Sequence, residues 1–335
     1  MIPYLAPVSL LIVLVQLVDR LPPPPLPAHR RRGRPTFYRD QLFLKALVIM
    51  IVKHLHTPYE LLTVLEQNTP EMAALRPLLT QAGRYPTRRT WERRLATLPA
   101  RLPAPIRALG THLVAVIQPW AAAGRAVAAD STVLRAKGGV WHQKHREVGA
   151  VPHTSIDTQA HWTKSDWHGW VYGWKLHLLT VVADVWIPLV AELTPANADD
   201  GTELAKLLYW HRADLPVELG YMLGAQHYNT PLLRALSRLQ GWRLVATHRG
   251  KRPQVDPGKE VRRLFHKLRS RAIENLNEHY KGIFGGHAQV PTRGLVATQR
   301  WALGAVFVYQ LAVLYRHEQG LDVNVGLKRF LKAAG

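Results

Sequence analysis

From Tyr38 to Val114 the apolar residues recur at helical spacing. Leu42, Leu44, Leu47, Val48, Ile51, Val52 and Leu55 form one such series, which predicts a helix with one buried side. Pro58 opens a second helix carrying Leu61, Leu62 and Leu65, because proline suits a first turn. Thr87 is placed to cap a third, which reads Arg88, Arg89, Thr90, Trp91, Glu92, Arg93, Arg94, Leu95. Ahead of these, Met1 to Val18 is mostly apolar, but Pro3 and Pro7 interrupt it and no Lys or Arg precedes it. A secretory leader needs a basic start and a membrane span needs about 20 residues. A packed helix is therefore expected.

The pattern changes near Arg125. Ala126 to Ala129 reads as a buried strand. In Trp170 to Val182, Trp170, Tyr172, Trp174, Leu176 and Leu178 alternate with Val171, Gly173, Lys175 and His177, which predicts a strand with two distinct faces. Ile187 to Leu193, Val217 to Leu223 and Trp242 to Thr247 are further strands. Between them lie a helix capped by Asp199 or Asp200 and one starting at Pro231. A long helix, about Glu260 to Phe284, closes the series. The order β-β-β-α-β-α-β-α implies an α/β mixed sheet flanked by helices, and it resembles the ribonuclease-H-like fold. Four parts follow: an apolar helix and Pro-rich linker at 1–28, an all-helical N-terminal region at 29–115, the α/β core at 120–290, and a C-terminal helix at 291–335 packed on that core. That last helix is apolar from Val296 to Tyr315, but Gln299, Arg300 and Gln310 interrupt it, which favours a core helix over a membrane span.

Charge narrows the partners. Lys and Arg total 44 against 23 Asp and Glu, for a formal charge of +21. Such an excess favours a polyanion: nucleic acid first, an anionic membrane surface as the rival. Arg30-Arg31-Arg32-Gly33-Arg34-Pro35 resembles a minor-groove AT-hook, with Arg32 and Arg34 flanking a slim glycine; an ordinary basic linker reads the same way. Arg88 and Arg89 on the third helix are DNA-contact candidates, against the plainer reading of a solvated basic face. There is no cysteine, which excludes disulfides and thiolate metal sites and agrees with a cytoplasmic location. His142 and His145 are two histidines without a third ligand nearby in sequence. Trp162, Trp167 and Trp170 lie among basic residues and suit either base stacking or packing on the sheet.

Two carboxylates stand out. Asp130 follows the apolar run 126–129, where an ionised group is costly unless paired or metal-bound; a strand-ending turn is the alternative. Glu274 lies opposite the apolar stripe Val261, Phe265, Leu268, Ala272, Leu276, Tyr280 and Ile283 of the long helix. Lys267, Arg271 and Lys281 frame it, which suits a metal ligand beside a DNA backbone or, equally, a solvated face of ion pairs.

From Asp130 to Lys281 the chain resembles the catalytic core of the DDE-type transposases of bacterial insertion sequences. The likeness rests on Asp130 after the first strand, Trp170 to His177, Thr194 to Asp200, and Glu274 with Lys281 seven residues later. The family pattern also has an Arg four residues before the Glu and a Tyr three before that, where this chain has Ser270 and Lys267. After the fourth strand the family reads Gly-Asp-x-x-Tyr, and this chain reads Gly224-Ala225-Gln226-His227-Tyr228. The resemblance implies transposition at the terminal inverted repeats of double-stranded DNA, by a homodimer, with no membrane partner. It implies Asp130 and Glu274 as catalytic residues and ligands of Mg²⁺ or Mn²⁺, with Lys281 on a phosphate. It also implies impaired cleavage, because Ala225 stands where the second Asp belongs and its methyl group binds no metal. His227 is the nearest substitute ligand, better suited to Mn²⁺ than to Mg²⁺. The alternative is a non-catalytic DNA-binding remnant that inhibits an intact transposase.

Overall fold

The computed structural model describes residues 9–21, 37–119, 125–151, 155–165, 169–182, 185–211, 215, 220–246, 274–323 and 326–335; for Glu274 and Asn275 it describes the backbone. Arg32, Arg34, Lys267 and Arg271 lie outside the described residues, as does the part of the expected long helix before Glu274.

The helical region comprises α1 (Leu10–Arg20), α2 (Asp40–Val52), α3 (Pro58–Glu66), α4 (Pro70–Leu78), α5 (Arg88–Thr97) and α6 (Pro103–Ile117). Thr-Pro pairs start two of them. The Thr57 and Thr69 hydroxyls accept the backbone N–H of Glu60 and Met72, and the following proline occupies the first turn. Thr87 caps α5 in the same way, through Thr90 N–H. Each such cap contributes about 1 kcal/mol. Helix α2 is buried along nearly its whole length, from Leu42 to Val52.

Among the described residues the sheet has six strands: β1 (Ala126–Arg135), β2 (His161–Ser165), β3 (Gly169–Val182), β4 (Trp186–Pro195), β5 (Tyr221–Gly224) and β6 (Arg243–Ala246). Its order is β2-β3-β1-β5-β6, with β4 also on β3. Strand β3 takes β2 along 169–173 and β4 along 174–182. It pairs antiparallel with β1, while β5 and β6 run parallel to β1. Helix α7 (Gln143–Glu147) precedes β2, α8 (Asp200–His211) links β4 to β5, and α9 (Pro231–Leu239) links β5 to β6. Helices α10 (Glu274–Phe284), α11 (Leu295–Glu318) and α12 (Leu327–Ala334) complete the chain. This is the ribonuclease-H-like arrangement, a mixed sheet flanked by helices behind a helical N-terminal region.

Two differences from the sequence reading bear on the site. Strand β1 does not stop at Ala129 but continues to Arg135, so Asp130 is internal to it. Asp-Ser reads as a turn in isolation, but the 14-residue β3 supplies a partner for every residue from Val127 to Arg135. Strand β2 was not anticipated; it forms a hairpin with the start of β3 and leaves Trp170 67% exposed, although Tyr172 and Trp174 in the same alternating series are buried.

Helix α11 is the central wall. It is buried from Arg300 to Leu314, and it packs against α2, α5 and α6 as well as β4. Its interrupting polar residues donate internally, Arg300 to the carbonyls of Leu95 and His56 and Gln310 Nε2 to those of Ile106 and Pro188, while the buried Oε1 of Gln310 has no hydrogen-bond partner. Among the described residues no helix is long and apolar enough to cross a membrane.

Candidate active site

Neighbours in register share a face of a sheet. Asp130 lies level with Leu178 and Ala191, while Ser131 lies level with His177 and Glu192 on the opposite face. Helix α10 covers the Asp130 face. Asn277 Nδ2 donates to Asp130 Oδ2 at 2.8 Å, and the His279 ring meets Trp186 edge-on. Leu276, Tyr280 and Ile283 bury the inner stripe of α10, and Tyr280 donates to the Ala302 carbonyl of α11. Those apolar contacts fix the helix, so the hydrogen bond from Asn277 reports a held position rather than a chance approach.

Strand β1 marks the point where the sheet changes direction, with β3 antiparallel on one side and β5 parallel on the other. Ligands of open α/β sheets bind in such crevices, at the carboxyl ends of the strands. Strand β5 pairs only with Ala126 to Ala128. Among the described residues, the β5 side of β1 is then open until Arg135 meets Gln289 in an isolated bridge. Extending the parallel register by two residues from the Ala128–Leu223 pair puts Ala225 level with Asp130 and on its face. Ala225 keeps an extended backbone, at φ −71° and ψ 177°, so the extension is continuous.

Glu274 opens α10, three residues before Asn277 and seven before Lys281. Positions three, four and seven apart share one side of a helix, so the backbone puts Glu274, Asn277, Glu278 and Lys281 on one flank. That flank is not simply solvated: Asn277 is only 8% exposed. Burial lowers the Lys281 ammonium from the ordinary lysine value, while Glu278 and then Asp130 act to raise it. Arg135, Glu278, Lys281, His287 and Gln289 line a cavity of about 560 Å³ at this end of β1. The Lys281 ammonium thus lies between the Asp130 carboxylate, which acts on it, and a cavity whose β1 lining, Val133 and Arg135, belongs to the face opposite Asp130.

The other sequence candidates are dispersed. Arg88 and Arg89 are exposed on α5, as is Arg93. Arg94, in the same basic run, is buried and ion-paired with Asp40, so it serves packing. His142 packs its ring against Trp162. His227 is exposed in the turn after β5.

On the opposite face, Lys175 meets Asp200 at 3.1 Å and the Ala198 carbonyl at 3.0 Å, and His177 Nε2 pairs with Thr194 Oγ1 at 2.8 Å. Asp199 caps α8 through Thr202. These contacts hold the loop between β4 and α8. Burial lowers the His177 imidazole from its ordinary value, and burial raises Glu192 to about 7, with Glu203 adding to the rise.

A divalent cation at Asp130 would need hard oxygen donors. Among the described residues no group of three or more His, Cys, Asp or Glu could hold a metal ion, and Ala225 offers no donor. The buried Oδ1 of Asn277, beside Asp130, has no hydrogen-bond partner. Asp130 therefore faces an amide N–H, and the described residues fall short of the full carboxylate trio. Sequence reasoning missed Asn277; its one signal is the three-residue spacing from Glu274.

No protein-family model matches the chain, and no curated protein matches it. Among solved structures it is similar to a pre-cleavage Mos1 transpososome, at 12% identity over 85% of this chain and 80% of that one, with a TM-score of 0.24. It is similar to a Mos1 mariner paired-end complex with Mn at 12% identity over the same shares, with a TM-score of 0.24. A Mos1 strand transfer complex is 13% identical over 85% and 79%, also at 0.24. Likenesses this distant carry no argument about the site.

Proposed function

We propose that the chain is a DDE-type transposase acting on double-stranded DNA ends, with strand cleavage impaired at Ala225. The observation that supports this is the company Asp130 keeps: a carboxylate at the switch point of the sheet, level with Ala225, bonded to the helix that carries Glu274 and Lys281. A charge of +21 supports a polyanionic substrate.

In this reading Asp130 and Glu274 hold Mg²⁺ or Mn²⁺, which would activate the attacking oxygen at a phosphodiester and stabilise the leaving one. Lys281 contacts a phosphate oxygen, with Lys267 and Arg271 along the same backbone. Arg88 and Arg89, and Arg32 and Arg34, hold DNA away from the reacting phosphate. Ala225 gives neither charge nor oxygen, and loss of one positioned catalytic group commonly costs orders of magnitude in rate. A homodimer on the terminal inverted repeats is the assembly this reading implies.

Incubating the chain with its element's ends and Mg²⁺ or Mn²⁺ tests the proposal. Specific end binding with little or no strand cleavage is expected. Efficient cleavage would show that Ala225 does not impair the site, and absence of DNA binding would remove the reading altogether. The alternative, a remnant that inhibits an intact relative, shares the DNA binding and differs only in having no residual cleavage.

A further inference from the structure

We infer that the cavity beside Lys281 binds one nucleotide, its phosphate on Lys281 and Arg135 and its base against Val133 and Val171. The inference goes beyond the reacting centre and rests on the proposed function only for the source of that nucleotide, a DNA strand. Three observations carry it. The cavity measures about 560 Å³, within the range of about 300–1,000 Å³ typical of small-ligand sites. Two cations line it without a direct partner: among the described residues, neither the half-buried Lys281 ammonium nor the Arg135 guanidinium makes a hydrogen bond or ion pair. Burial disfavours the charge on Lys281, and an anion in the cavity would offset that cost. Finally, the walls are fixed. Val290 N–H donates to the Arg135 carbonyl at 2.8 Å, and the Gln289 side chain exchanges two bonds of 3.1 Å with the Gly138 backbone.

The lining favours a nucleotide over a bare anion. Side chains alternate between the faces of a strand, so Val133, Arg135 and Val171 stand on one face, opposite Asp130. Two of them are apolar and the third is charged, which matches the division of a nucleotide into base and phosphate. Glu278 is the one carboxylate among the described lining residues, and its Oε2 lies 3.8 Å from His287 Nε2. A carboxylate repels inorganic phosphate but accepts from the amino groups of bases. Arg135 is five residues past Asp130 on β1, about 17 Å along the strand. The phosphate held here is therefore a neighbour of the reacting one. A base enclosed by a pocket has left its stack, so the nucleotide is an unpaired one.

Two binding measurements on the full chain without metal test this. One is the fluorescence anisotropy of a labelled end duplex, either blunt or carrying one unpaired nucleotide at a 3′ end. The other is saturation-transfer NMR with free dAMP. The tailed duplex is expected to bind about tenfold more tightly than the blunt one, as for one hydrogen-bonded charge contact. Arg135→Glu and Ala288→Trp are each expected to abolish that preference. The first reverses a charge on an exposed side chain, and the second fills the cavity from an exposed position. If Ala288→Trp does not fold, Arg135→Glu decides. Contact with dAMP that the variants lose, without a preference for the tail, keeps the cavity as a nucleotide site and overturns its DNA source. Equal binding of the two duplexes with no dAMP contact, or a preference that both folded variants retain, overturns the inference. Binding of the blunt duplex separates the two proposals: its presence when neither measurement detects a nucleotide sinks only the role of the cavity, and its absence sinks the transposase reading.

Discussion

The parallel register of β1 and β5, extended two residues past the Ala128–Leu223 pair, sets Ala225, the residue after β5, level with Asp130 on one face of the sheet. Neighbouring strands lie about 4.8 Å apart, so a carboxylate at position 225 would share a cation with Asp130. Ala225→Asp is expected to raise cleavage of end DNA in Mg²⁺ by roughly 10²-fold or more. Without metal the same change sets two carboxylates side by side, which raises their pKa values. One unit of such a shift is about 1.4 kcal/mol. The variant should therefore melt lower than wild type at neutral pH, and Mn²⁺ should restore it. A cleavage gel and melting curves with and without metal check both halves.

Glu192 gives the chain a pH dependence of identifiable sign. Burial raises it to about 7 in the folded state, from an ordinary value of 4.5. Between those values the folded chain holds a proton that the unfolded chain has lost, so this contribution to stability is complete below 4.5 and is lost as pH rises towards 7. The full effect is on the order of 3 kcal/mol. His177 works the other way: its lowered value withdraws stability as pH falls below 6.5. Glu192→Gln isolates the first effect. The variant should match wild type near pH 4 and exceed it above pH 7, as measured by urea unfolding across that range; equal stability at pH 8 would refute the assignment.

Arg88 and Arg89 are exposed on α5, where Arg88 pairs with Glu92 at 2.9 Å and lies over the Tyr59 ring. If both meet phosphates, Arg88→Ala with Arg89→Ala should reduce the slope of log affinity against log salt by about 2, since each neutralised phosphate contributes about 0.9. The melting temperature should hold, because neither residue is buried. An unchanged slope would leave α5 as a solvated face.

Gly110 lets α6 lie against β4. A Cβ there would sit 2.6 Å from the Pro188 carbonyl oxygen and 3.1 Å from Gln310 Nε2. Alanine gains about 1 kcal/mol of helix propensity over glycine, but forced overpacking costs about 1–3 kcal/mol, and the obstacle is backbone. Gly110→Ala should therefore destabilise on balance, with a lower urea midpoint and an unchanged slope.

Helix starts were legible because threonine and proline act locally: Pro58, Thr87 and Pro231 each sit where the helix-start rules put them. The succession of strands and helices, apart from β2, was legible because buried strands and amphipathic helices differ in period. What failed depended on partners distant in sequence. Asp-Ser ends a strand by its own preference, and only the length of β3 carries β1 past Asp130. The buried Arg94 looked like its exposed neighbours Arg88, Arg89 and Arg93 until Asp40, 54 residues earlier, claimed it. Asn277 carried only its three-residue spacing from Glu274, because an amide on a helix acquires meaning from what it faces.

Helix α11 forms a wall shared by the N-terminal helices and the sheet, with Gln310 binding Ile106 of α6 and Pro188 of β4 at once. A ribosome delivers Leu295–Glu318 after every element that this wall joins. Until then the inward faces of α2, α6 and β4 lack their common cover, and the nascent chain carries that apolar surface through most of its translation. Early termination would therefore give no smaller working version but a sticky intermediate, and chaperone dependence should end abruptly once Leu314 has cleared the exit tunnel.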